Sequence, residues 1–127
     1  MKMGLFKSQA EKERLSHVKT LLALALADDN MSKDEIAAIA TVGAREDVDV
    51  EEIEKMLNGT DNVQFTIPES DDQKIQQLRD MVVLMLIDGK SDENELDLCR
   101  AVADRFGFRE EIVEALAKQI LEEINNE

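Results

Sequence analysis

Two seven-residue apolar runs, Leu21–Ala27 and Met81–Ile87, constrain the 127-residue chain more than any other feature. Each leads at once into an acidic turn. The first reads Asp28-Asp29-Asn30-Met31-Ser32-Lys33-Asp34-Glu35 and the second Asp88-Gly89-Lys90-Ser91-Asp92-Glu93-Asn94-Glu95. A shift of sixty positions superposes Leu24 on Leu84, Leu26 on Leu86, Asp28 on Asp88 and Glu35 on Glu95. Val42 then falls on Val102 and Arg45 on Arg105. Omitting one residue between the halves brings Glu51, Glu52, Ile53 and Leu57 onto Glu110, Glu111, Ile112 and Leu116. Self-similarity of this kind is the mark of an internal duplication.

The runs are too short to cross a bilayer, which takes about 18 apolar residues. They are too uniformly apolar for the surface of a soluble protein, so each is expected to be buried on every side. Val82, Val83 and Ile87 also suit a strand, but the Leu and Ala of the matching run decide for helix. Aromatic residues make up 3% of the chain, with one Pro and five Gly, which leaves a core of Leu, Ile, Val, Ala and Met. The expected fold is an all-α, single-domain bundle of about six helices, built from two pseudo-equivalent three-helix repeats. Repeat one covers about 8–57, a connection 58–70, and repeat two about 71–125.

Helix one is expected from Ser8 to Asp28 and helix four from Asp71 to Asp88. Ser32 with Glu35, and Asp92 with Glu95, have capping-box spacing and open helices two and five. Helix two directs Ile36, Ile39, Ala40 and Gly43 inward, and helix five Leu96, Cys99 and Val102, with Phe106 near its end. Gly107 before Phe108 reads as a left-handed cap. Asp49 caps helix three, with Val48 and Ile53 as a staple, and the helix stops near Asn58-Gly59. Helix six, from about Glu110 to Ile124, uses Ile112, Leu116, Ile120 and Ile124. The connection is expected to be ordered, with Phe65 and Ile67 tucked onto the bundle. Met3, Leu5 and Phe6 form an apolar cluster that docks on the core or meets a partner.

Fifteen Lys and Arg against 29 Asp and Glu give a net charge of −14. That surface repels nucleic acid and bare anionic membrane, and favours divalent cations and basic protein partners. No segment inserts into a membrane and no signal peptide is seen, so the cytoplasm is the default location. The single Cys99 excludes an internal disulfide framework.

The catalytic inventory is thin. His17 reads as a half-buried packing residue and Cys99 as an inert buried thiol. A zinc site has neither a second His nor a second Cys to draw on. No phosphate loop or nucleophile elbow is present, so no enzymatic activity is expected. The acidic turns remain. Asp28 and Asp88 sit where helices end, a position the helix dipole disfavours for a negative charge. Two readings explain them. In one, the carboxylates make Asx-turns and capping boxes. In the other, Asp28, Asp29, Glu35, Asp88, Asp92 and Glu95 supply oxygen ligands to a hard divalent cation, calcium or magnesium. An EF-hand is excluded, because Lys33 and Glu93 stand where its Gly is needed and Ile39 and Cys99 where its last Glu is needed.

An apolar helix, an Ala-Asp-Gly-x-apolar-Ser-x-x-Glu turn and a second helix, all repeated, resembles the tellurite-resistance TerB family. It also resembles the helical domain at the N-terminus of a membrane-anchored DnaJ-type co-chaperone. The resemblance covers about Ser8 to Leu121, with Asp29 in place of the usual Gly, Ser91 in place of the apolar residue and Ile87 in place of Ala. It implies an all-helical fold and metal binding by Asp28, Glu35, Asp88 and Glu95. It further implies a non-catalytic, stress-associated role with a protein partner, basic or membrane-associated. The alternative is a pure protein–protein interaction module whose turns only cap helices.

Overall fold

The computed structural model describes residues 7–27, 31–87 and 93–126, and among these every regular element is helical. Six helices follow in order: α1 (Gln9–Leu26), α2 (Lys33–Arg45), α3 (Val50–Asn58), α4 (Asp71–Leu86), α5 (Glu93–Arg105) and α6 (Ile112–Asn125). No helix among the described residues is long and apolar enough to cross a membrane.

The central pair is α1 and α4, which pack on each other. Helices α2 and α3 lie against α1, helices α5 and α6 against α4, and α5 also reaches α1. One core results. Val18, Leu21, Leu24 and Ala25 of α1 meet Leu78, Met81, Val82, Leu84 and Met85 of α4, closed over by Ile39, Met56, Cys99, Val102, Val113 and Ile120. Leu24 and Leu84, the two residues that the sixty-position shift pairs, are both fully enclosed.

The helix ends follow the local chemistry. Ser8 and Ser70 accept the backbone N–H of Glu11 and Gln73, each at 3.1 Å, and so open α1 and α4. Asp49 precedes α3 without a side-chain cap bond, while Val48 and Ile53 both pack against the core as expected of a staple. Gly59 and Gly107 adopt φ of 71° and 88°, the left-handed conformation that ends α3 and follows α5. Beyond Gly107 the Phe108 N–H bonds the Ala103 carbonyl at 3.0 Å, and Phe108 folds back onto the core.

Several expectations need correction. The central helices are not buried on every side: Ala23, Leu26, Val83 and Ile87 reach solvent or groove edges. In α2 the inward face carries Glu35, Ala38, Ile39, Val42 and Gly43, while Ile36 is 52% exposed and Ala40 is exposed. Helix α6 begins at Ile112, after a turn over Glu110 and Glu111, and buries Val113, Leu116 and Ile120. Ile124 is 58% exposed, because the last turn of α6 extends past the core. Leu57 is half exposed and its neighbour Met56 is buried.

The connection between α3 and α4 is ordered, but polar contacts fasten it more than the expected aromatic anchor. Lys19 Nζ donates to Asp61 Oδ1 at 2.6 Å and to the Val63 carbonyl at 3.0 Å. The Thr66 N–H donates to Ser16 Oγ at 2.8 Å, and Pro68 is fully buried. Phe65 and Ile67 stay partly open, although the Phe65 ring stacks on Phe106 at 6.1 Å between centroids. Met3, Leu5 and Phe6 lie outside the described residues.

Candidate functional site

Helix α2 starts with a complete capping box. Ser32 Oγ accepts the Glu35 N–H at 3.1 Å, and Glu35 Oε1 accepts the Ser32 N–H at 2.9 Å. The carboxylate that makes this box is fully enclosed, with 0% of Glu35 exposed. Its second oxygen, Oε2, meets no donor among the described residues. A buried carboxylate oxygen left without a donor is costly, so its persistence asks for a partner. Directly before α2 lies the turn containing Asp28 and Asp29, and both of these fall outside the described residues.

The second acidic turn is described only where α5 begins. Glu95 is the third residue of α5, as Glu35 is of α2, and is 1% exposed. Its negative charge lies close enough to Cys99 to add to the effect of burial, which pushes that thiol up to about 12. Cys99 is therefore an inert core residue, as the sequence predicts. Asp88 and Asp92, including the cap expected of Asp92, lie outside the described residues. Of the six candidate ligands, then, Glu35 and Glu95 are placed, each buried at the start of a helix. Among the described residues no three His, Cys, Asp or Glu side chains come together as a metal site. The enclosed Glu35 Oε2 is compatible with a hard cation, since carboxylate oxygen suits calcium and magnesium.

A second polar cluster joins α1, α2 and α4. His17 is 1% exposed rather than half-buried, and its Nε2 bonds Asp80 Oδ2 at 2.7 Å. Arg45, the last residue of α2, donates to the same oxygen at 2.5 Å, and Gln76 Nε2 donates to Asp80 Oδ1 at 3.1 Å. One carboxylate thus ties α1, α2 and α4 together. Burial alone would raise the Asp80 carboxyl, but the bonds from His17 and Arg45 outweigh it and hold it below its ordinary value. The hydrogen bond from Lys19 likewise holds Asp61 low. Sequence reasoning missed Asp80 because its partners lie 63 and 35 positions away. The available signal was a charged residue one turn from Gln77 and Leu84 in a helix with a predicted core face.

Comparison with protein-family models, curated proteins and solved structures finds no match.

Proposed function

We propose that this chain is a TerB-like, non-catalytic module of two related halves that binds a hard divalent cation at its acidic inter-helix turns. Such a module would serve in a stress response through a basic or membrane-associated protein partner. The observation that carries this reading is Glu35, a fully enclosed carboxylate with one oxygen in a capping box and the other without a donor among the described residues. Asp28 and Asp29 are the sequence neighbours able to complete an oxygen shell with Glu35, and Asp88 and Asp92 stand in the same relation to Glu95. A cation there would offset the charge of the crowded carboxylates and tie the end of one helix to the start of the next.

The two-half organisation draws support from the matching lengths of α2 and α5, both 13 residues, and from their sixty-position separation. A pure interaction module is the second reading. The intact Ser32–Glu35 box favours it, because capping alone explains why a Glu stands at that position. Thermal unfolding with millimolar calcium or magnesium separates the two. A cation at 100 times its dissociation constant stabilises by about 2.7 kcal/mol. Asp28→Asn combined with Glu35→Gln should remove that gain. A melting temperature indifferent to both ions would leave the turns as caps.

A further inference from the structure

The groove between α1, α5 and the connection is lined by Thr20, Ala23, Val63, Phe65, Leu98 and Val102, together with Ser16, Lys19 and Gln64, and encloses about 260 Å³. Its lining is mostly apolar and contains no carboxylate among the described residues. The groove also has a counterpart. Moving sixty positions along the sequence takes Thr20 to Asp80 and Ala23 to Val83. Moving sixty back takes Leu98 to Ala38 and Val102 to Val42. Those four residues line a niche of only about 50 Å³ between α2 and α4.

The two places differ in one chemical respect. In the small niche Asp80 supplies a carboxylate, and Arg45 reaches it from the end of α2 at 2.5 Å without itself lining the niche. In the large groove the corresponding arginine is Arg105, the last residue of α5. Thr20 stands where the acid would be, and its hydroxyl is turned to the Ser16 carbonyl at 2.9 Å. Arg105 makes no ion pair among the described residues; it lies over the Phe65 ring, 4.8 Å from the centroid. Phe65 in turn lines the groove. Ala23 is smaller than its counterpart Val83, while Leu98 is larger than its counterpart Ala38.

We infer that this groove binds an aliphatic carboxylate, whose acid group pairs with Arg105 as Asp80 pairs with Arg45 and whose short apolar body fills the space over Ala23, Leu98 and Val102. The chain contains both versions of one arrangement, with the acid built in on one side and left to be supplied on the other. Charge complementarity selects the acid, since Lys19 lines the groove and Arg105 lies over the ring of Phe65, one of its lining residues. Lys19 is already committed to Asp61, which leaves Arg105 as the group that recognises the ligand. The volume, slightly below that of common small-molecule pockets, suits a short chain rather than a long one. The inference rests on the equivalence of the two halves proposed above and is independent of any cation.

Octanoate is the probe, titrated into the ¹⁵N-labelled full chain and followed by amide chemical shifts. Saturable shifts confined to residues of α1, α5 and the connection that border the groove are expected. Octanol, lacking the acid, and acetate, lacking the body, should each bind at least tenfold more weakly. Arg105→Gln should weaken octanoate about tenfold or more, as expected for loss of a charge-assisted bond. Thr20→Asp supplies the missing acid in place. It should raise the melting temperature, lose that rise when combined with Arg105→Gln, and abolish octanoate binding. The failures are distinguishable. If Thr20→Asp couples to Arg105 but octanoate does not bind, the ligand is wrong and the equivalence stands. If Thr20→Asp shows no coupling to Arg105, the equivalence itself is overturned. Equal octanoate binding by wild type and Arg105→Gln, or equal binding of octanol, would also refute the carboxylate site. Octanoate shifts reproduced by an acidic-apolar peptide C-terminus but not by longer fatty acids would identify the source of the acid as a protein end.

Discussion

Truncating Asp80 leaves the imidazole of His17 enclosed without its acceptor and releases Arg45 from the end of α2. Breaking a buried ionic hydrogen-bond set is strongly destabilising, so Asp80→Ala is expected to cost about 3 kcal/mol. That is the low end for such a change, because Arg45 is partly open to water. Urea denaturation at neutral pH measures it. The pH dependence has a defined sign. Asp80 and Asp61 both have folded values below the ordinary 3.8, so the unfolded chain binds their protons first as acid is added. Their contribution is complete above the ordinary range and is lost as pH falls through the lower folded values. Stability should therefore drop below about pH 4, and Asp80→Asn should show a shallower drop than wild type. The contrast with Glu35 is instructive. Its Oε1 is used and its Oε2 is not, and a glutamine keeps a capping oxygen while removing the charge. Glu35→Gln is thus expected to unfold within about 1 kcal/mol of wild type without divalent ions. A loss above about 3 kcal/mol in that condition would mean the carboxylate is satisfied by protein alone.

At the level of elements, the residues that announce a helix end were readable, and the residues that choose a helix face were less so. Ser8, Ser32, Gly59 and Gly107 act locally, through their own backbone conformation or a bond three residues away, and each stands where the sequence predicts a boundary. The face of α2 is a tertiary decision. Successive residues on a helix are about 100° apart, so a buried stripe centred between Glu35 and Ile39 leaves Ile36 at its margin and Ala40 outside it. Burying a Glu is not something apolar periodicity can indicate, and the inward turn of Glu35 displaced the stripe. The central helices carry the clearer expectation. Leu24→Ala and Leu84→Ala should each cost about 2–5 kcal/mol, the range for enclosed leucines, when measured by denaturant unfolding. Losses below about half a kcal/mol at both would mean that α1 and α4 are not the core, against their full enclosure.

At the level of the molecule, the excess of 14 negative charges sets up a competition that salt can resolve. Like-charge repulsion opposes the compact state, and at 0.1 M ionic strength it is screened beyond about 10 Å. The exposed ion pairs Arg79–Glu123 and Arg100–Glu114 also weaken on screening, but such pairs contribute only about 0–1 kcal/mol each. Repulsion summed over the whole surface should win, so the melting temperature is expected to rise as sodium chloride is added. That rise is non-specific, and it is the background against which a cation site must be judged. Calcium or magnesium chloride at ionic strength matched to sodium chloride should add a further increment in wild type. Glu35→Gln should keep the sodium response, since one charge in an excess of 14 changes little, and should lose the divalent increment. An equal rise for divalent and sodium salts at matched ionic strength would mean that the acidic turns hold no ion. Their carboxylates would then serve as helix caps, and the protein would act through its surfaces alone.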